Sequence, residues 1–200
     1  MIAFTITTFL TTTCSTGWCQ DFLKDSRSII AYYNELSKDY DRLYAREQLD
    51  KYTILFRAAY VDIEHANILV DLGCGTGLLL EYLQVVSGRA NTIYYLCIDF
   101  SLGMISRAVE KHRSRKLYYV DYVVADINSI PLRKCVGNVV FVMVSVLRQG
   151  EEGVVLRLKE AYSSSTLVVG LLVGEKNKVC PKLGSCKFVG KVGYECLYVC

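Results

Sequence analysis

Three glycines and the acid in front of them carry the most specific chemical signal in the sequence. Gly73, Gly75 and Gly77 stand at alternate positions in VDLGCGTGLLLEYL, between two apolar segments, and Asp71 precedes them. Residues without a side chain allow positive φ, and they let a ligand lie against backbone N–H groups at the start of a helix. A turn that only joined a strand to a helix would rarely need three glycines. We therefore predict a ligand site at this turn.

The acids at the ends of successive apolar segments indicate what that ligand is. Asp71 disfavours a dinucleotide, whose usual fingerprint is GxGxxG and whose pyrophosphate would rest beside the carboxylate; it suits an ammonium group. Asp99 ends TIYYLCIDF, where a carboxylate can accept hydrogen bonds from both ribose hydroxyls. Asp126 and Ile127 end the next segment and suit the amine and ring of adenine. The pattern predicts a ligand with an ammonium group, a ribose and an adenine.

Each acid also has a purely structural interpretation. Asp71 could cap the glycine turn, and Asp99 could be the N-cap of the following helix. Asp126 could begin an Asx-turn before Asn128.

The segments around these residues alternate between strand and helix patterns. One or two amphipathic helices are predicted between Ser26 and Ala59. Apolar runs rich in Val, Ile and Tyr predict strands buried on both faces at Asn67–Leu72, Thr92–Phe100, Leu117–Asp126, Asn138–Leu147 and Thr166–Val173. Helical patterns lie between them, and an antiparallel hairpin around Gly193 closes the series. The fold class is α/β: a doubly wound, mostly parallel Rossmann-like sheet with helices on both faces and a C-terminal antiparallel hairpin.

Length and composition predict a single domain over residues 26–200 of the 200-residue chain. Residues 1–25 start with an apolar, threonine-rich stretch that lacks a positively charged region; we expect a dispensable or poorly ordered leader, with a packed extra strand as the alternative. The net charge of +3 is too small to indicate a polyanionic partner by itself. No apolar run is long enough to cross a membrane, so a cytoplasmic protein is the default expectation.

The nine cysteines and two histidines give no metal-site pattern. The cysteines form no CxxC pair, and neither His65 nor His112 lies near them, so no metal site is predicted. Most cysteines are expected to be small core residues, because disulfides would be unusual in an intracellular protein; their redox state stays open. Both histidines are expected on the surface.

From about Ile29 to Val173 the chain resembles the class I S-adenosylmethionine-dependent methyltransferases, through VDLGCGTG, LCIDFS and VVADINSIP in the expected order. The segment AYYNELSKDYDRLYAREQ also resembles the tyrosine-bearing helical lead-in of the small-molecule type and of uncharacterised archaeal members. The resemblance implies S-adenosylmethionine as cofactor. It implies that the cofactor-binding residues are Asp71, Gly73, Cys74, Gly75, Gly77, Asp99, Phe100, Asp126, Ile127, Tyr33 and Tyr40.

Methyl transfer needs alignment and a dry pocket more than a protein nucleophile, and the sequence offers no catalytic residue. Ser145 and Arg148 follow the fourth strand and are the candidates for acceptor contact. That strand has no DPPY or NPPY element, which disfavours N-methylation of nucleic-acid bases. A small-molecule acceptor is favoured, RNA is suggested by the basic run Arg107–Lys116, and protein is a further class. The alternative is a catalytically idle S-adenosylmethionine-binding partner or activator subunit. The oligomeric state is left open.

Overall fold

The computed structural model describes the backbone of residues 17–130, 132, 138–174 and 179–200, with side chains from residue 27 onward. Its helices are α1 (Gly17–Leu36), α2 (Tyr40–Ala58), α3 (Tyr60–His65), α4 (Leu78–Val86), α5 (Leu102–Ser114) and α6 (Gly153–Ala161). Its strands are β1 (Ile68–Leu72), β2 (Tyr94–Asp99), β3 (Val120–Val124), β4 (Val139–Arg148), β5 (Thr166–Leu172), β6 (Lys187–Val192) and β7 (Glu195–Val199). The predicted leader lies outside the described residues except for the start of α1, and the domain boundaries stay predictions.

The strands form one sheet in the order β3-β2-β1-β4-β5-β7-β6. The first five strands along the chain pair in parallel, and β7 lies antiparallel between β5 and β6. The strand order reverses between β1 and β4, where the carboxyl ends of the two strands leave room for a ligand. The predicted fold class is confirmed, including the hairpin around Gly193.

Apolar side chains cover both faces of the sheet, as a doubly wound fold requires. On one face α2, α4 and α5 supply Tyr52, Leu55, Phe56, Leu79, Leu80, Leu83, Ile105 and Ala108. On the other face α6 supplies Val154, Val155 and Leu158, which pack with residues of β4, β5 and β7. Each of these four helices therefore turns an apolar stripe toward the sheet, and the polar groups of the site lie at the strand ends.

Two burial predictions are wrong. β3 was expected to be buried on both faces, but it is an edge strand whose residues are partly or largely exposed, and Val124 exposes 51% of its surface. His112 was expected at the surface, yet it has no exposed surface. Its Nε2 lies 2.9 Å from the Gly77 carbonyl oxygen and its Nδ1 lies 2.9 Å from the Tyr122 hydroxyl, which compensates for burial. His65 is exposed, as predicted.

The redox state of the cysteines, which the sequence leaves open, includes three disulfides, and Cys74, Cys97 and Cys196 are core residues as expected. Disulfides join Cys74 to Cys97, Cys180 to Cys196 and Cys186 to Cys200. The first links the glycine turn to the neighbouring strand β2, and the other two fasten the C-terminal hairpin. The partners are brought together by strand pairing, which their spacing in the sequence does not reveal.

No helix among the described residues has the length and apolar character needed to cross a membrane.

Candidate functional site

A crevice of about 790 Å3 opens at the carboxyl ends of β1, β2, β3 and β4, beneath α1 and the start of α2. This volume is typical of pockets that bind small molecules. The crevice contains the reversal of strand order that the fold predicts as a binding position. The predicted residues that line it are Tyr33, Tyr40, Gly73, Gly75, Asp99, Phe100, Asp126, Ile127, Ser145 and Arg148. Asp71, Cys74 and Gly77 do not line it.

The glycines of the turn have different surroundings. A Cβ atom on Gly75, which has φ of +53°, would meet only the Tyr40 ring at 4.0 Å, so its backbone is open to the crevice. A Cβ atom on Gly77 would clash with the His112 ring, and one on Gly73 would clash with Val146. Gly75 therefore leaves space for a ligand, whereas Gly77 lets α5 pack closely against the turn.

Asp99 is buried at the end of β2 and faces the glycine turn. Its Oδ2 accepts from the Gly75 N–H at 3.0 Å, and its Oδ1 accepts from the Ser101 N–H at 2.8 Å. Burial raises the pKa of Asp99, and these backbone hydrogen bonds oppose the rise. The N-cap of α5 is Ser101, which accepts from the Met104 N–H, so the N-cap interpretation of Asp99 is wrong. Because a carboxylate offers about four acceptor sites, Asp99 keeps capacity for further donors.

Asp126 lies at the rim of the crevice with Ile127 beside it. Its Oδ1 accepts from both the backbone N–H and the side-chain amide of Asn128, at 2.8 and 3.0 Å. The alternative Asx-turn is thus present. Its Oδ2 has no hydrogen-bond partner among the described residues, so the turn leaves one oxygen for a ligand.

Asp71 is held below the crevice instead of facing it. Its carboxyl accepts a hydrogen bond from the Tyr95 hydroxyl, and burial raises its pKa to about 7. Cys74 is likewise buried, and it forms a disulfide bond with Cys97. The binding roles predicted for Asp71, Cys74 and Gly77 stay predictions. None of the three lines the crevice, so each would act by shaping the glycine turn and not by touching the ligand.

Helix α1 is attached to the start of α5 beside the crevice. The Oδ1 atom of Asn34 accepts from the Ser101 hydroxyl and from the Gly103 N–H, both at 2.8 Å. Tyr33 packs edge to face on Phe100, with ring centroids 5.4 Å apart. Burial raises the pKa of Tyr33 and of Tyr40, so both hydroxyls stay protonated at neutral pH. Aromatic residues of α1 and α2 therefore line one side of the crevice.

Sequence reasoning missed a polar cluster in the opposite wall. Gln48 and Lys51 of α2 line the crevice, and Lys51 forms an ion pair with Glu195 of β7 at 2.6 Å. Glu47 also pairs with Lys51, at 2.7 Å. In the sequence Glu47 and Lys51 have the spacing of an ordinary exposed helix pair, and nothing local marks Glu195 as their partner.

A profile of the methyltransferase domain family matches residues 69–163, which contain the glycine turn, Asp99, Asp126 and Ser145. Over this stretch, just under half of its length, the chain is similar to the S-adenosylmethionine-dependent methyltransferases. The cofactor of this family is S-adenosylmethionine.

The chain is also similar to the malonyl-[acyl-carrier protein] O-methyltransferase of Marinomonas sp., to which it is 32% identical over 120 residues. The match covers 57% of this chain and 42% of the relative, so the chain spans less than half of that protein's length.

Two solved structures share the fold of this chain. Magnesium protoporphyrin IX methyltransferase from Synechocystis with bound S-adenosylmethionine has a TM-score of 0.61 at 14% identity, covering 88% of this chain and 95% of that one. An S-adenosylmethionine-dependent methyltransferase from Aquifex aeolicus has a TM-score of 0.54 at 19% identity, covering 83% and 96%. At these identities the similarity shows the fold.

Proposed function

We propose that the chain transfers a methyl group from S-adenosylmethionine to a small-molecule acceptor. The observation that carries the proposal is the crevice, which joins the open backbone of Gly75 and the carboxylate of Asp99 to a separate wall around Ser145 and Arg148. One crevice thus has room for a nucleoside cofactor at one end and an acceptor at the other. When bound, S-adenosylmethionine supplies an activated methyl group.

The residues present suit that cofactor. The space beside Gly75, which a side chain would fill, fits the methionine end of S-adenosylmethionine. Asp99 retains acceptor sites for the ribose hydroxyls, and Asp126 with Ile127 pairs a free carboxylate oxygen with an apolar surface for adenine. The rings of α1 and α2 exclude water and offer faces that attract a cation.

The Ser145 hydroxyl is not free to act as a general base. The Ser145 hydroxyl donates to Glu195 Oε2 at 2.8 Å and accepts from Lys51 and Gln48 at 2.8 and 2.9 Å, so its hydrogen-bonding capacity is used. His112 is buried behind the glycine turn. An acceptor that is already ionised, such as a carboxylate, needs no base to remove a proton.

Arg148 supports an anionic acceptor. Arg148 lines the crevice, and its guanidinium has no ion-pair partner among the described residues. A guanidinium fork matches the two oxygens of a carboxylate. The relative from Marinomonas is named for O-methylation of a malonyl group, which is in line with this chemistry. We therefore propose methylation at an acid oxygen.

RNA is the weaker candidate because much of the basic run on α5 is neutralised within the chain. Lys111 pairs with Asp41 at 2.6 Å and with Glu81 at 3.3 Å, and Arg107 pairs with Glu110 at 2.6 Å. Paired cations have less to gain from a phosphate backbone than free ones.

The test is incubation of the protein with methyl-labelled S-adenosylmethionine and a cell extract separated into metabolites, RNA and protein. We expect label in the metabolite fraction, released as methanol by mild alkali because methyl esters hydrolyse readily. Asp99→Ala serves as the control for transfer that depends on the site. Label in RNA, or label in protein that mild alkali does not release, would contradict methylation at an acid oxygen of a small acceptor. Alkali-labile label in protein would indicate an acyl group carried on a protein, and cofactor binding without transfer to any fraction would favour the idle binding partner.

A further inference from the structure

A buried polar cluster links the last strand to the cofactor crevice. Lys51 and Glu195 expose 2% and 0% of their side chains, and their charged groups lie 2.6 Å apart. Burying two charges costs several kcal/mol for each ion unless close partners compensate. Here Glu195 has both oxygens occupied and Lys51 has three partners within 2.8 Å. The cluster is fully paired on the wall of a binding crevice.

Glu195 reaches Ser145, behind the wall of the crevice, because two neighbouring strands make space for it. A Cβ atom on Gly170 of β5 would clash with the Glu195 carboxylate, so the glycine leaves room for this side chain. Beside it, the pairing of β4 with β5 shifts register between Met143 and Leu147, a β-bulge that includes Ser145. The space beside Gly170 and the irregular pairing around Ser145 together allow the Glu195 carboxylate to contact β4.

Ser145 has the unusual φ of +62°, a region that costs a residue with a side chain free energy unless its surroundings hold it there. Its N–H donates to Glu195 Oε1 at 2.5 Å and its hydroxyl donates to Glu195 Oε2 at 2.8 Å. One carboxylate therefore fixes both the backbone and the side chain of Ser145 in this conformation.

The cluster continues from Ser145 to the cofactor end of the crevice. Gln48 Nε2 donates to the Ser145 hydroxyl at 2.9 Å and to the Tyr40 hydroxyl at 3.3 Å. The Tyr40 ring lies over Gly75, where it is the nearest group to the position of an added Cβ atom. A chain of hydrogen bonds thus runs from Glu195 through Ser145 and Gln48 to the ring that covers the glycine turn.

We infer that Glu195 is a positioning residue for cofactor binding: through Ser145 and Gln48 it holds Tyr40 over Gly75. The inference rests on the proposed cofactor site. It assigns the C-terminal strand a role in the affinity for S-adenosylmethionine, although Glu195 itself lies behind the wall of the crevice.

Calorimetric titration with S-adenosylmethionine tests this role. Glu195→Gln should raise the dissociation constant about tenfold, within the range by which coupled sites change each other's affinity. Lys51 keeps Glu47 as a partner in this variant, so no buried ammonium is left alone. Glu160→Gln removes an equal charge from an exposed position on α6 and should bind like the wild type.

A double-mutant cycle separates positioning from a general loss of stability. Tyr40→Phe removes the hydroxyl that Gln48 holds, and we expect it to weaken binding in the wild type but to add little to Glu195→Gln. Ser145→Ala interrupts the same chain of hydrogen bonds without removing a charged group, and it replaces Glu195→Gln in the cycle if that variant does not fold. Melting temperatures ensure that every titration is done on folded protein.

The outcomes are distinguishable. If the effects of Glu195→Gln and Tyr40→Phe simply multiply, or if Glu195→Gln lowers the melting temperature and leaves the dissociation constant unchanged, the inference is wrong. If the wild type itself does not bind S-adenosylmethionine, the proposed function fails first.

Discussion

The buried imidazole of His112 gives the protein a measurable dependence of stability on pH. Burial lowers the pKa of His112 from 6.5 to about 4, and the ring has no exposed surface. Between these two values the unfolded chain binds a proton at this residue and the folded chain does not. The stability that depends on the neutral imidazole is therefore present above pH 6.5 and is lost as the pH falls toward 4.

The size of the effect follows from the two pKa values. A difference of about 2.5 units is worth about 3.4 kcal/mol once complete. Integrating proton uptake between pH 7 and pH 5 gives a loss of about 2 kcal/mol in the free energy of unfolding. His112→Gln does not titrate and retains an amide donor for the Gly77 carbonyl, so we expect the variant to lack this loss.

Urea unfolding of the wild type and of His112→Gln at pH 7, 6 and 5 measures the difference directly. Other carboxyl and histidine groups contribute to both proteins and cancel in the comparison. Equal changes in the free energy of unfolding over this range would refute the assignment of a neutral, buried imidazole.

Three further predictions concern the turn, the hairpin and the cofactor. The pKa of Asp71 is raised from 3.8 to about 7, so the stability contributed by its protonated carboxyl is lost as the pH rises from about 4 through 7. Asp71→Asn should remove the resulting decrease in the free energy of unfolding between pH 5 and pH 8, measured by urea unfolding. A decrease of the same size in the variant would contradict the raised pKa. Reduction of the hairpin disulfides, including Cys186–Cys200, should lower the free energy of unfolding by roughly 3 kcal/mol for each loop, seen as a lower melting temperature; no change would contradict their presence. Asp99→Asn should weaken S-adenosylmethionine binding roughly tenfold in calorimetry. A hydrogen bond to a charged group is worth about 1.5 to 3 kcal/mol, and the lower end of that range corresponds to about tenfold in affinity. Unchanged affinity would contradict a ribose contact.

The sequence predicts the features of the fold that depend on neighbouring residues. The run from Val70 to Leu83 contains a strand, a turn and a helix in order, and the parallel sheet then brings successive strand ends to one edge. For this reason Asp99 and Asp126 could be assigned to one crevice before the structure was known. Both acids lie near Gly75 because β2 and β3 lie successively beside β1 in a parallel sheet, an arrangement that the alternation of strands and helices already implies.

The sequence could not predict contacts created by the packing of distant segments. Glu195 lies opposite Lys51 only because β7 inserts between β5 and β6, and a hairpin pattern alone does not reveal that position. His112 looks like part of a solvated basic run, but α5 turns it toward Gly77. The low exposure of Asp71 likewise depends on Tyr95 of the adjacent strand.

The bond between Cys74 and Cys97 has a practical consequence for all cofactor measurements. It covalently attaches the residue beside Gly75 to the strand that ends in Asp99. Buffers with and without a thiol reductant will therefore contain two different covalent species of the protein. Affinities obtained in the two buffers belong to different molecules and should be compared only after the thiol content of each sample has been counted.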